Sequence, residues 1–306
     1  QVGEDRVYVS DCRGSSPPST HKVCVNTLGA YKQSIEVLLT GLDIEKKAEI
    51  YVDQIFHNLG GKEQFTDVDI HLIRSDKEDP ASNEEAHAAL RITITSDDPS
   101  KLGRLLQAKV TELGLAAIPG NTGRGAAGYN GNAVIAYWPT LIDSRKVTER
   151  VHINGDLIEV LPTQRLGLEE RYYQEVPVKI PPAPSGDTTR IPFGRLFGTR
   201  SGDKGGAANC GVWAKTDEAF GFLHEFLTVE KFKELAPDMA SYKIERFDLP
   251  NLRALNFYIH DVLGEGVSSN HRIDKQAKSL CEYLRAKTIE APTLLVDQIA
   301  RTNLNE

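Results

Sequence analysis

The chain has 306 residues, 40% of them hydrophobic and 26% charged. That length suits two ordinary domains, which fold without disulfides or metal, and the composition excludes a disordered or collagen-like chain. A net charge of −7, from 43 acidic and 36 basic residues, argues against a general nucleic-acid binder, whose affinity comes from neutralising phosphates.

The four cysteines, Cys12, Cys24, Cys210 and Cys281, are scattered, with no CxxC and no Cys/His zinc spacing. No metal and no cofactor are expected. No apolar run of about 18 residues spans a bilayer, so no membrane is expected, and the polar start from Val2 to Val9 does not read as a signal peptide. These features fit a reduced, cytoplasmic protein. Gln1 in place of Met suggests a fragment or a trimmed chain.

In chain order, His21–Thr27 and Ser34–Leu39 read as strands. Asp43 caps an amphipathic helix carrying Ile44, Ala48, Tyr51, Val52, Ile55, Phe56 and Leu59, which Gly60-Gly61 ends. Val68–Ile73 is a strand. Ser75–Glu85 is an acidic loop. Leu90–Thr95 alternates, which predicts a strand with one buried face. Asp98-Pro99 starts a helix striped by Leu102, Leu105, Leu106, Val110 and Leu113, and Ala133–Trp138 is a further strand. From Ser34 the order is β-α-β-β-α-β, the split βαβ or ferredoxin-like pattern.

Periodicity fades from about Gly155 to Arg190, where Val176-Pro-Val-Lys-Ile-Pro-Pro-Ala-Pro reads as an extended linker. Beyond it come a strand over Phe193–Thr199, a glycine-rich loop and a strand over Cys210–Ala214. Helices capped by Asp217 and Thr228 follow, then strands over Tyr242–Asp248 and Leu252–His260. The last helix is capped by Asp274, with Ile273 placed as a hydrophobic staple. The chain is therefore α+β: two ferredoxin-like sandwiches joined by a Pro-rich linker. The expected divisions are 1–154, 155–190, 191–291 and a tail, 292–306, that docks or frays.

The segment most suggestive of chemistry is Arg200-Ser-Gly-Asp-Lys-Gly-Gly-Ala-Ala-Asn-Cys-Gly. Its small residues allow backbone amides to converge on an anion. Arg200 and Lys204 add cationic donors, Asp203 is a carboxylate or base, and Asn209 both donates and accepts. Ser201, Gly202 and Gly205 complete the expected ligand-binding stretch. The alternative for the same residues is a glycine-rich turn with a structural Asp–Arg pair. A second cluster, Asn256-Phe-Tyr-Ile-His260-Asp261, ends in a histidine suited to proton transfer, although for a single His-Asp pair the favoured alternative is a strand-end histidine capping backbone groups. Adjacent strand residues face opposite ways, so His260 is preferred over Asp261. The third is Pro119–Gly131, where Arg124 sits in a glycine-rich loop able to close on an anion or to serve only as a connection.

The Arg200–Gly211 segment, with Leu252-Arg-Ala-Leu-Asn-Phe-Tyr-Ile-His-Asp-Val-Leu-Gly-Glu-Gly, resembles the C-terminal ferredoxin-fold domain of the acyclic terpene utilisation (AtuA-like) family over Pro192–Ala286. Val2–Val147 is similar to the later part of that family's large N-terminal domain, through Arg13-Gly-Ser-Ser-Pro-Pro-Ser-Thr-His-Lys-Val and the Gly120–Gly131 loop. The chain departs from the family pattern at Gly206, where an acidic or polar residue is expected. The resemblance implies breakdown of branched or terpenoid acids, and it implies an N-terminal part of the same protein that this sequence does not contain.

Two functions follow as expectations. One is a hydratase- or lyase-type enzyme binding a small carboxylate or acyl-CoA, with Arg200 and Lys204 on the anion, Asp203, Lys204 or His260 moving a proton, and Arg124 closing over the ligand. The other is a non-catalytic module that organises a homo-oligomer or a partner enzyme through exposed sheet edges and faces.

Overall fold

Thr20–Thr40 is one 21-residue strand, β1, where two strands are expected from the sequence. Gly29 does not interrupt it. The computed structural model describes residues 3–9, 17–116, 118–123, 131–160 and 179–303. The chain divides into two compact units, 1–25 with 138–180, and 26–137 with 181–306, so β1 runs through both.

In the larger unit, helix α1 (Ile44–Asn58) follows β1 and buries Ile44, Ala48, Tyr51, Val52, Ile55 and Phe56. Each such side chain contributes about 1.5–3 kcal/mol when fully buried, except the smaller alanine. Asp43 occupies the N-cap position in a left-handed conformation and makes no side-chain capping bond. Strands β2 (Asp67–Ile73) and β3 (His87–Ser96) come next. The Asp98-Pro99 start nucleates only a 3₁₀ turn over Pro99–Lys101, with the Asp98 carboxylate accepting from Ser100 N. Helix α2 (Arg104–Leu113) begins after Gly103, which has positive φ. Strands β4 (Asn121–Gly123) and β5 (Asn132–Asp143) complete the sheet.

The sheet order is β2-β3-β1-β4, with β5 also on β1, and every pairing given by register is antiparallel. This is the ferredoxin-like order expected from the β-α-β-β-α-β pattern. Ile35, Val37 and Leu39 of β1 and Leu90, Ile92 and Ile94 of β3 share one core with α1 and α2. The alternation of β3 predicts one buried face. Both faces are buried from Ala88 to Ile94, because the polar face is covered as well.

The smaller unit holds the outer parts of β1 and β5 and a hairpin, β6 (Arg150–Ile153) with β7 (Asp156–Glu159). Arg145 hydrogen-bonds the Asp143 carboxyl and holds its pKa down at about 2. Of the stretch expected as linker, 161–178 lies outside the described residues. Pro181 and Pro182 pack against helix α4 (Asp217–Phe226), since a Cβ on Gly221 would stand 2.6 Å from both of their carbonyl oxygens.

Strand β8 (Thr188–Pro192) pairs with β13 (Thr288–Pro292), which follows α6 (Leu280–Arg285), and in the tail beyond it α7 (Thr293–Asn303) buries Leu295. The expected strand over Phe193–Thr199 is instead a helical turn, α3 (Phe193–Leu196), before β9 (Gly198–Lys204). β9, β10 (Ala207–Trp213), β11 (Ile244–Leu249) and β12 (Ala254–Ile259) form an antiparallel sheet in the order β11-β12-β10-β9. Between β10 and β11 lie α4 and α5 (Val229–Leu235), capped by the hydroxyls of Thr216 and Thr228. Thr216, not Asp217, is thus the first cap.

Helix α6 starts six residues after Asp274, whose carboxylate accepts from the Lys278 and Ser279 amides. Ile273 is exposed and does not act as a staple. The cysteines read from the sequence as free and reduced; Cys210 of β10 and Cys281 of α6 instead form a buried disulfide. No helix among the described residues is long and apolar enough to cross a membrane.

Candidate functional site

The segment read as a glycine-rich loop is a β-hairpin. Arg200 to Lys204 belong to β9, Ala207 to Gly211 to β10, and Gly205-Gly206 makes the turn. Its backbone is therefore that of a ladder and not of a converging nest. Gly205 has φ +68, and a Cβ there would meet Tyr137 Cε1 at 2.9 Å. At Gly206 a Cβ would collide with the carbonyl oxygen of Gly264, and Leu263 N donates to Gly206 O at 2.8 Å. The turn is packed from both sides, so glycine serves close approach there.

Strand alternation divides the expected site residues between two faces. Cross-strand register puts Ser201 with Cys210 and Phe257, and Asp203 with Ala208, Ile259 and Ile244, on the face that α4, α5 and α6 cover. Phe232 of α5 stacks on Phe257 there, ring centroids 4.7 Å apart. Arg200, Lys204, Asn209 and His260 project from the other, open face. Arg200 and His260 are two strands and four residues apart, roughly 16 Å by strand spacing and rise. They do not share a pocket.

Ser201, Asp203, Lys204, Asn209 and His260 each have a local partner. Ser201 Oγ accepts from Cys281 N at 3.0 Å and so caps the start of α6. Lys204 Nζ donates to the Asp203 carbonyl at 2.9 Å. Asn209 Nδ2 donates to Asn256 Oδ1 at 3.0 Å. His260 Nε2 lies 2.6 Å from Glu245 Oε2, and hydrogen bonds from His260 and then Lys243 hold the Glu245 carboxyl below its usual range. Gly202 faces Lys278, whose Nζ would lie 3.0 Å from a Cβ at that position. Arg124 lies outside the described residues.

Asp203 and Gly205 do line a cleft of about 420 Å³, together with Asn26, Ile135, Tyr137 and Ser268. Lys278 Nζ stands 3.3 Å from Asp203 Oδ1; both are partly exposed, so the pair contributes no more than about 1 kcal/mol to stability. Tyr137 N donates to Glu265 O at 3.1 Å, and Ile135 N donates to Ser268 Oγ at 2.9 Å, which fixes β5 against the segment after β12.

Sequence reasoning passes over Tyr137 and Lys278. The register of β9 marks Asp203 as facing the helices, but no sequence signal brings a lysine 75 residues onward, or a tyrosine from β5, to the same place.

No curated protein and no solved structure matches the chain. Two family models do: acyclic terpene utilisation family protein AtuA over residues 1–153, and the AtuA ferredoxin-like domain over residues 191–290. The antiparallel α+β sandwiches agree with the second match, and on the two together the chain belongs to the acyclic terpene utilisation (AtuA) family.

Proposed function

We propose that this chain acts in the breakdown of branched or terpenoid acids by binding a small carboxylate or acyl-CoA in the cleft at the Gly205 turn. Lys278 holds the anionic oxygen, and Asp203 carries the proton for addition or removal of water. In the hydration direction the Asp203 carboxylate accepts a proton from water as the oxygen bonds to the β-carbon, and the protonated Asp203 then returns that proton to the α-carbon. Dehydration is the reverse. Lys278 offsets charge growing on the carbonyl oxygen. The observation that carries this reading is Asp203, which lines a cleft large enough for a small acid and has Lys278 Nζ 3.3 Å from its Oδ1.

Calorimetric titration of the full chain with acyl-CoAs and short dicarboxylates tests it. Lys278→Ala is expected to weaken binding about tenfold or more, which is about 1.4 kcal/mol. Asp203→Asn is expected to bind normally but lose turnover by about 10²–10⁴-fold. Unchanged binding in Lys278→Ala, with loss in Arg200→Ala, would move the site to the open face and sink the reading.

That open face motivates the second reading, a surface for assembly. Trp213 is 41% exposed and Phe247 51%, on the same face as Arg200 and His260. Large apolar groups on an uncovered sheet face suit a second copy of the chain.

A further inference from the structure

Helices α3 and α6 meet at Gly194. A Cβ on that residue would stand 2.6 Å from both Cβ and Nε of Arg285, so only glycine lets the Arg285 side chain lie on the α3 backbone. The guanidinium held there is incompletely satisfied. Nη1 donates to both carboxylate oxygens of Glu282 at 3.0 Å, and Nη2 donates to Gly194 O at 3.2 Å. Nε is buried and has no acceptor, so part of the donor set of this arginine is unused.

A pocket of about 280 Å³ opens at the same place. Pro192, Gly194, Arg195, Glu282, Arg285 and Ala286 line it. Arg195 is exposed and makes no hydrogen bond or ion pair with a described residue. The pocket therefore sets two guanidinium groups against the one carboxylate of Glu282, in a chain whose net charge is −7. Among its lining residues there is no large apolar side chain, so it offers little to an alkyl chain and suits a compact anion.

We propose that Arg195 and Arg285 bind a phosphate group, either inorganic phosphate or a phosphomonoester. Near neutral pH such a group carries a charge of about −1.5 to −2 and presents three acceptor oxygens, which matches two guanidinium groups where a carboxylate matches one. The planar fork of arginine fits phosphate oxygens in bidentate fashion. Glu282 is the built-in competitor: it occupies Nη1 of Arg285 and repels an incoming anion, so it sets the affinity. The inference goes beyond the chemistry placed at the Gly205 turn and uses none of its residues.

The test is a phosphorus NMR line-width titration of the full chain near neutral pH, with inorganic phosphate and with AMP, and with acetate as a competitor. Arg195→Gln alters an exposed, unpaired side chain. It is expected to weaken phosphate binding about tenfold, with an unchanged thermal melt. Arg285→Lys keeps the charge but loses the fork, and it is expected to weaken binding severalfold. Glu282→Gln is expected to strengthen binding severalfold, a gain that a merely structural Arg285–Glu282 pair does not produce. AMP binding about tenfold more tightly than phosphate assigns the group to a nucleotide ester, and equal binding assigns it to inorganic phosphate; both support the site. No broadening of either ligand overturns the proposal. So does phosphate binding that Arg195→Gln leaves unchanged, or acetate that competes as well as phosphate does. Asp203→Asn and Lys278→Ala are expected to bind phosphate normally; if they do not, the phosphate sits in the cleft at the Gly205 turn, and this proposal fails while the first reading stands.

Discussion

Lys32 sits on the polar face of β1 beside Thr95, and with Ile135 and Tyr137 of β5 it ties the segment after β12 to the first sheet. Its three carbonyl acceptors come from consecutive residues, Ser268, Ser269 and Asn270. Burial comes first among the causes that lower its pKa from 10.5 to about 8. The sign of the pH effect follows. Between those values the unfolded chain binds the proton and the folded chain has released it, so unfolding free energy contributed by this group rises with pH through that window. The full shift is on the order of 3 kcal/mol. Comparing urea unfolding of the native chain and Lys32→Met from pH 7 to 11 should show the extra positive slope only in the native chain. A slope that is equal in both, or negative, refutes the assignment. Nothing in the local sequence marks Lys32 as buried, because its acceptors lie more than 230 positions away.

At the scale of elements, the β9–β10 hairpin and α6 are joined twice. Ser201, beside Cys210 in the sheet, accepts the first free amide of α6, and Cys210 is bonded to Cys281. A cross-link across 71 residues restricts the unfolded chain by about 4 kcal/mol on the loop-entropy view. Reduction, or Cys281→Ser, should therefore lower the urea midpoint clearly, and thiol titration of the unreduced, denatured chain should leave Cys210 and Cys281 unreactive. Finding both thiols reactive without reductant would show the pair to be open. The elements themselves were largely legible. The α1 stripe from Ile44 to Phe56 and the β2 and β3 strands are local patterns that fold as they read, except that β3 is buried on both faces. The Arg200–Gly211 segment misleads because its glycines and alanines, which look like a flexible loop, are there for close packing. Tyr137 lies over Gly205, and Gly264 lies over Gly206.

For the whole molecule, the second sheet has one face covered by helices and one face open, and the open face carries Trp213, Phe247, Arg200 and His260. If that face pairs two copies, light scattering behind size exclusion should show a mass that rises with concentration, and Phe247→Asp should return it to that of one chain. A single-chain mass at every concentration removes the assembly reading. The sequence by itself determined the α+β class, the ferredoxin-like strand order and the family, because periodicity and short motifs are local and survive without coordinates. Only the tertiary structure decided which charged groups meet. Strand alternation sent Asp203 to one face and Arg200 with His260 to the other, and the fold brought Lys278 to Asp203. Those outcomes depend on which strands pair and on what covers each face, and no stretch of chain read alone contains either.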